Sequence, residues 1–455
     1  MASDLLIVGG GPAGYDAALA AARRGISTTL LEKEHLGGSC LNWGCIPTKF
    51  LLAAVAPKAE LEGQEKMKTG SGQVFVDLPA LVDRKKRHLE ATRKAMAAEL
   101  TKLGVEFIHG ELKMIGAARS VIEVDGEPKT VDHKRCILAT GSRPAWHPGL
   151  KADHDCVLNS GDILGLREIP KHLLVVGAGF IGLELAQFFS RAGSKITLVE
   201  VAPRIAPSED EEISKALAQS FKRMGWDMHV GVSISKLDSV DGQASLSLGD
   251  GKVITADKCL LAVGRLPNSR NLMLEMLGAE VKGAAGWIHT DEHLLATPTV
   301  YAVGDVNGRT LLAHAAANQG EWAVRHFAGE EKTLYEPGPI PGCMYGAPET
   351  MRVGLMQAEA MARGMDVAVS RSQLVANPIA QAHGATGGLV KCIWSEGKLV
   401  GVTAVGHGVA SLATLSTVMV SQGWTRKQCG DLIFPHPTLD EALRSALLNP
   451  AALIP

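Results

Sequence analysis

Aromatic residues are scarce. Phe, Trp and Tyr make up 4 % of 455 residues, too few for the stacking platforms that grip single-stranded nucleic acids. Charge of one sign is lacking too. Lys plus Arg number 46 and Asp plus Glu 48, a formal net charge of −2, which argues against a broad hold on phosphates and so against a nucleic-acid partner. Cysteine is sparse. Eight residues in a chain of this length do not make a disulfide scaffold. Cys136, Cys156, Cys259, Cys343, Cys392 and Cys429 stand singly, and Cys40 and Cys45 are the one close pair. No secretory leader is visible, since the apolar run at residues 5–8 has no basic region before it and meets glycines at once. A cytoplasmic protein is expected. Long apolar runs are also few. Residues 399–425 hold no Asp, Glu, Lys or Arg and would reach across a bilayer. Thr403, Ser411, Ser416 and other polar residues interrupt them, however, and Gly406-His407-Gly408 breaks them. They read as a buried strand, a turn and a helix, with no membrane partner. The basic run at residues 84–87, flanked by Asp83 and Glu90, reads as the solvated face of a helix reaching Leu100.

Glycine is what the chain has in excess, with 50 residues, or about 11 % against a usual ~7 %. No Gly-X-Y repeat accompanies it, so tight turns account for it. The length suggests about three domains at roughly 150 residues each. Near the start, an apolar run leads into Gly9-Gly10-Gly11-Pro12-Ala13-Gly14. An Ala-rich helix runs to about Arg24, and a second apolar run ends on Glu32. The order recurs at residues 173–176, then Gly177-Ala178-Gly179-Phe180-Ile181-Gly182, a helix to Ala192, and an apolar run ending on Glu200. The copies match at an offset of 168, with the acid 23 residues after the first glycine in both.

One Gly-x-Gly-x-x-Gly turn is common. Two in the same strand, helix and acid context specify two dinucleotide sites in Rossmann-like α/β domains. The first glycine permits the sharp turn, the second admits a pyrophosphate, and the third lets helix and strand pack closely. The helix N-terminus offers unsatisfied N–H groups to the phosphates, and the acid accepts from an adenosine ribose. A carboxylate at Glu200 would repel the extra phosphate of NADP, so NAD is expected there, although Arg204 stands close by. Two further turns, Ala139-Thr140-Gly141 and Ala262-Val263-Gly264, end apolar strands and read as returns from one nucleotide domain to the next. Asp305 follows a third such strand, at the end where α/β sheets bind ligands. From about residue 341 the pattern becomes that of a separate α+β domain. The expected division is residues 1–150 for the first dinucleotide domain, 151–270 for the second, 271–340 completing the first, and 341–455 for the last.

Cys40 and Cys45 are spaced Cys-x4-Cys. In an ideal helix their Cα atoms would lie roughly 8–9 Å apart, whereas a disulfide wants roughly 4.4–6.8 Å. A bond between them needs a distorted turn, which Gly44 allows, with Pro47 disrupting the ladder nearby. Such a small loop stabilises little, so a bond here is a working bond more than a staple. Two unbonded core thiols are the plain alternative. Zinc is disfavoured because no second close Cys or His pair follows, and no metal is expected. Placement directly after a nucleotide turn favours redox chemistry. A dithiol and a nicotinamide both trade electron pairs, and a flavin can sit between them. The first turn then suits FAD and the second NAD.

Among 15 histidines, His436 stands out in Phe434-Pro435-His436-Pro437-Thr438-Leu439-Asp440-Glu441. Pro437 suits a first helical position, which would put His436 at or near the cap. Glu441 could orient the ring, as a histidine base requires. Most histidines are surface or core residues, and the local pattern alone does not make this one catalytic.

Together these residues resemble the pyridine-nucleotide disulfide oxidoreductases, most closely the members that oxidise dihydrolipoyl groups. The likeness covers essentially the whole chain, and it is most specific at residues 38–49 and 436–441. The resemblance implies FAD and NAD as cofactors and a homodimer paired through the C-terminal domain. Cys40 would be the interchange thiol and Cys45 the thiol facing the flavin. Lys49 and Glu184 would pair beside the isoalloxazine. His436, oriented by Glu441, would be the acid/base acting on the other chain's cysteines. FAD would contact Gly9, Gly11, Pro12, Ala13, Gly14, Glu32, Lys33, Gly38, Ser39, Lys49, Thr140, Gly141, Asp305, Ala313 and His314. NAD would contact Gly177, Gly179, Phe180, Ile181, Gly182, Glu200, Val263 and Gly264. The implied substrate is a lipoyl arm on a carrier protein of a 2-oxoacid dehydrogenase (its E2 component) or of a glycine-cleavage system (its H protein), with a place in cell redox homeostasis. The chain departs from the family pattern at Phe434, where a second histidine is common, and at Trp43, bulky inside the redox loop. A glutathione-type reductase would want basic residues where Glu200 sits. A redox-silent FAD/NAD-binding subunit would have no use for both cysteines and His436.

Overall fold

A computed structural model describes residues 2–270 and 272–454 of the chain. Both glycine turns join a buried parallel strand to a helix. β1 (Ala2–Val8) is buried on both faces from Leu5 onward, the pattern of a strand covered on two sides. It leads into α1 (Pro12–Ala22), whose first-turn proline gives up an N–H the helix does not use. β2 (Thr28–Glu32) is buried along its length. Next come α2 (Gly38–Trp43), α3 (Cys45–Met67), α4 (Leu78–Lys102), β3 (Glu106–His109) and β4 (Glu127–Leu138). The second copy supplies β5 (His172–Val176), α5 (Phe180–Ala192), β6 (Lys195–Glu200), α6 (Glu211–Arg223), β7 (Asp227–Val230) and β8 (Lys258–Leu261). Later elements are β9 (Val300–Ala302), α7 (Ala313–Phe327), β10 (Leu389–Ser395), β11 (Lys398–Gly406) and α8 (Asp440–Leu448).

The described chain divides into two compact units. The first takes its residues from 1–47, 82–145 and 264–336. The parallel core of its mixed sheet runs β9–β4–β1–β2–β3, and Leu295–Thr297 and Arg119–Val124 join β9 and β4 antiparallel. Leu5, Ile7, Leu30, Ile137 and Tyr301 are buried within it. α1 and α7 lie against each other so closely that a Cβ on Gly320 would fall 2.1 Å from the Ala13 carbonyl oxygen. The basic run does lie on α4, but it is not wholly solvated. Arg84, Lys86 and Arg87 are exposed, whereas Lys85 is buried. Lys85 precedes buried Leu89 by one helical turn, on the face turned inward.

The second unit takes residues from 48–81, 146–263 and 337–455. One of its sheets is parallel, in the order β7–β6–β5–β8 with Val157–Leu158 at the edge. Another is an antiparallel six-stranded sheet centred on β10 and β11. Residues 399–425 form β11, a turn and the helix Ala413–Ser421, as the polar interruptions require. No helix among the described residues is long and apolar enough to cross a membrane. Lys391 of β10 is fully buried, and its Nζ lies 2.9 Å from Asp210 and 2.7 Å from Glu212. Asp210 also caps α6 by accepting from the Glu212 N–H at 2.9 Å. One ammonium thus fastens the start of α6 to the sheet.

Candidate active site

The two glycine turns have one geometry. Gly9 and Gly177 lie at φ 104° and 103°, where only glycine is unstrained. A Cβ on Gly9 would sit 2.3 Å from the Ala139 oxygen, and one on Gly177 would sit 2.2 Å from the Ala262 oxygen. The third glycines are as constrained, since a Cβ on Gly14 or Gly182 would strike the carbonyl oxygen of Gly9 or Gly177 at 1.8 or 2.1 Å. The middle glycines differ. Among the described residues, and apart from chain neighbours, nothing lies within 4 Å of a Cβ built on Gly179, and one built on Gly11 meets the Gly38 Cα alone, at 3.7 Å. The middle positions are therefore open, as a pyrophosphate needs.

The two acids also behave alike. Glu32 accepts from the N–H of Gly10 and of Glu34, each at 2.7 Å. Glu200 accepts from the N–H of Ala178 at 2.7 Å and of Ala202 at 2.8 Å. A carboxylate oxygen takes more than one hydrogen bond, so each acid fixes its turn and keeps lone pairs for a ribose. The open middle glycines, helix N-termini and spare carboxylate acceptors fit FAD at the first turn and NAD at the second. Lys33 and His314 are exposed, Ala313 opens α7, and Phe180 and Ile181 lie in the first turn of α5.

The cysteines stand on two helices. α2 ends at Gly44, whose φ −138° and ψ −107° leave the helical region, and α3 starts at Cys45. Gly44 folds back until a Cβ on it would lie 3.0 Å from the Ser39 oxygen and 3.6 Å from the Cys40 Cα. The break between the two cysteines falls at Gly44. Pro47, expected to disrupt the ladder, sits in the first turn of α3, where its missing N–H has no helical partner to lose. Gly38 starts α2 directly over the nucleotide turn, since its built Cβ would lie 2.7 Å from the Gly11 Cα. Asn42 pins the loop by donating to the Leu36 and Gly38 oxygens at 3.0 and 2.9 Å, and Arg93 donates to its Oδ1 at 2.7 Å.

A polar cluster lies in the same unit. Arg265 donates through Nε to Ser142 Oγ and through Nη2 to the Ser142 carbonyl oxygen, each at 2.7 Å, and Nη2 reaches Ser39 Oγ at 3.3 Å. Ser142 Oγ donates to Asp305, whose Oδ2 lies 3.7 Å from Arg265 Nε. Burial pushes the Arg265 guanidinium down, while Asp305 and then Cys45 hold its charge. Thr140 and Asn268 exchange hydrogen bonds at 2.8 and 2.9 Å, and Asn268 N–H donates to the Gly141 oxygen at 2.9 Å. Sequence reading named Asp305, Thr140 and Gly141 but did not select Arg265 or Ser142. Each directly follows a strand-ending segment already singled out, but nothing local signals that they converge.

In the second unit, Lys49 Nζ meets both Glu184 oxygens at 3.1 and 2.8 Å and lies 4.4 Å over the Tyr345 ring. Glu184 also accepts from the Tyr345 N–H at 2.8 Å. Burial raises its carboxyl, against the opposing pull of Lys49. Val263 ends the strand segment after β8, and Gly264, at φ 111°, begins the return. His436 belongs to this unit, not to the one that holds Cys40 and Cys45. Its Nδ1 is shared between the Glu441 oxygens at 3.0 and 3.1 Å. The hydrogen bond from His436, then one from the Thr438 N–H, holds the Glu441 carboxyl below its usual range. The cap expectation is corrected. α8 begins at Asp440 with Leu439 as its cap, so Pro437 is not its first residue and His436 lies in the preceding loop. Glu441 holds that loop outside the helix by taking both the His436 ring and the Thr438 N–H at 3.2 Å.

Comparison with known proteins gives a consistent result. Residues 3–320 match the pyridine nucleotide-disulphide oxidoreductase family, and residues 340–447 match its dimerisation domain. A dihydrolipoyl dehydrogenase of Chlorobaculum tepidum is 37 % identical, covering 98 % of this chain and 96 % of its own. One from Bacillus subtilis is 32 % identical over 99 % of both chains. Among solved structures, LpdA of Mycobacterium tuberculosis is similar with a TM-score of 0.88 at 26 % identity, covering 98 % of this chain and 99 % of its own. These likenesses run nearly end to end, over positions where the geometry provides two dinucleotide cradles. The chain therefore belongs to the pyridine nucleotide-disulphide oxidoreductases, a family of enzymes that work with FAD and NAD.

Proposed function

We propose that this chain is a dihydrolipoyl dehydrogenase. It oxidises the dihydrolipoyl arm of a carrier protein through Cys40 and Cys45, with NAD⁺ as final acceptor. The observation that carries the reading is the clamp of Gly38 on Gly11, which starts the redox helix directly over the first nucleotide turn. FAD, when bound, supplies the two-electron relay between a dithiol and a nicotinamide. Its holders would be Gly9, Gly11, Pro12, Ala13 and Gly14 at the pyrophosphate and Glu32 and Lys33 at the adenosine end. Gly38, Ser39, Lys49, Thr140, Gly141, Asp305, Ala313 and His314 would complete the site. NAD would lie on Gly177, Gly179, Phe180, Ile181, Gly182, Glu200, Val263 and Gly264. Residues 1–150 with 271–340 would form the FAD domain, 151–270 the NAD domain and 341–455 the interface domain.

His436 takes a proton from one substrate thiol. The thiolate attacks Cys40 Sγ, forming a mixed disulfide as the Cys40–Cys45 bond breaks and Cys45 leaves as a thiolate. The second substrate thiol then attacks the mixed disulfide, and its proton passes to the departing Cys40 sulfur. The substrate closes to its cyclic disulfide and Cys40 departs with the electron pair. The balance is one oxidised dithiol and one reduced pair. His436 is 73 % exposed, which suits a base that serves the cysteines of a second copy in a homodimer. Buried thiols at Cys136, Cys156, Cys259, Cys392 and Cys429 suit the cytoplasm, where disulfides are rare.

The test is a spectrum and a substrate panel. Reduction of the yellow holoenzyme by NADH should raise a long-wavelength thiolate-to-flavin band, with lipoamide turned over faster than glutathione disulfide and NADH used before NADPH. A missing band would indicate a redox-silent subunit, and a preference for glutathione disulfide would make it a different reductase.

A further inference from the structure

Glu60, His383 and His407 form a cluster that plays no part in the chemistry above. One ligating atom from each lies within 4.8 Å of the others. Glu60 stands on α3, His383 closes the short helix Pro378–Ala382, and His407 directly follows β11. His383 Nδ1 lies 2.9 Å from Glu60 Oε2, and His407 Nε2 lies 3.3 Å from Glu60 Oε1. The imidazole centroids are 5.1 Å apart.

We propose that these three side chains form a binding site for a divalent transition-metal ion, with Zn²⁺ the reference ion. Two imidazole nitrogens and one carboxylate suit borderline ions of the zinc class, whereas Mg²⁺ and Ca²⁺ want oxygen throughout. A tetrahedral zinc site with bonds near 2.0–2.1 Å has ligand atoms roughly 3.3–3.5 Å apart, and each imidazole already stands near this distance from one of the two Glu60 oxygens, His383 from Oε2 and His407 from Oε1. The imidazole–imidazole edge closes by side-chain rotation. The side chains of Glu60, His383 and His407 are 41 %, 44 % and 36 % exposed, enough for both movement and entry of an ion. The backbone under the site is tightly held. A Cβ on Gly63, one turn after Glu60, would lie 2.2 Å from the His383 oxygen, and one on Gly384 would lie 2.5 Å from the Gly63 oxygen. Three protein ligands leave a fourth position for water. Bound metal ties α3 to the end of β11 and to the short helix. Glu60 is eleven residues along α3 from Lys49, roughly 16 Å at helical rise, so the ion does not touch the Lys49–Glu184 pair.

The test uses full-length, FAD-loaded protein, oxidised and stripped of metal so that the redox thiols do not compete. Calorimetric titration with Zn²⁺ should give one ion per chain, and zinc should raise the melting temperature. Cu²⁺ loaded in its place should show two-nitrogen coupling by electron paramagnetic resonance. The His383→Gln/His407→Gln protein should lose all three signals while its metal-free NADH–lipoamide turnover matches the parent. Should that variant fold poorly, Glu60→Gln, close in shape, should weaken zinc by on the order of tenfold or more. Zinc binding that survives these changes, or parent protein that takes up no ion, would overturn the proposal.

Discussion

Replacing Lys49 by Met should impose a stability penalty that grows with pH. In the parent, the Glu184 carboxylate is 8 % exposed, with the ammonium at 2.8 Å and the Tyr345 N–H as its partners. Met keeps the length of the side chain but removes the charge. Breaking a buried ion pair from one side typically costs about 3–5 kcal/mol. The Lys49 side chain is 35 % exposed, so the pair is part-screened, and about 2–3 kcal/mol is the better figure. Burial already raises Glu184, and Lys49 is the largest influence opposing it. Without the ammonium, the folded-state value moves further above the unfolded one. A carboxyl raised in the folded state binds a proton that the unfolded chain has given up, so stability falls as pH rises above the unfolded pKa. The penalty should therefore be full near pH 8 and shrink towards pH 5, where Glu184 takes a proton and no longer needs the cation. The assay is urea unfolding of the flavin-loaded protein at both pH values, followed by tryptophan and flavin fluorescence. Lys49→Met/Glu184→Gln should recover most of the loss at pH 8. A penalty equal at the two pH values, or undiminished in the double variant, would refute an electrostatic origin.

Lys391→Ala leaves Asp210 without its buried cation and should cost about 3–5 kcal/mol in urea unfolding, with nucleotide affinities unchanged in the protein that stays folded. Gly177→Ala should abolish NADH reduction of the flavin, because its Cβ meets a carbonyl oxygen at 2.2 Å. A Cβ at Gly179 meets nothing within 4 Å beyond its chain neighbours among the described residues, so Gly179→Ala should melt like the parent and raise KM for NADH. Among the described residues, neither buried carboxylate oxygen of Glu209 has a hydrogen-bond partner, and burial, opposed by Arg352 3.6 Å away, pushes its carboxyl up to about 7. The parent should lose stability as pH rises from ~4.5 to 7, by about 3 kcal/mol from this group, and Glu209→Gln should flatten that part of the pH profile. Glu441→Gln keeps the shape but not the charge facing His436, and should slow dihydrolipoamide oxidation by on the order of tenfold while NADH-to-ferricyanide transfer stays at the parent rate.

Legibility followed sequence distance. Each nucleotide turn was readable because its constraints act over a few residues. A glycine at positive φ, a helix start beside it and an acid at the end of the next strand all leave local marks. The break at Gly44 was readable for the same reason. The helix on α4 was legible from its charges, yet Lys85 is buried there, because which face turns inward depends on what packs on it. The start of α8 was misplaced by three residues, since Pro437 satisfies a local rule that the Glu441 carboxylate overrides by binding the loop before the helix.

The order of residues alone determined two dinucleotide cradles and a paired-cysteine loop broken at Gly44, because turn sterics and helix ends are set by near neighbours in the chain. Only the tertiary structure decided which distant side chains meet. Arg265 with Ser142 and Asp305, Lys391 with Asp210, and Glu60 with His383 across 323 residues come together because sheets and helices pack their backbones into register. Side-chain chemistry then acts over a few ångströms of space, whatever length of chain lies between.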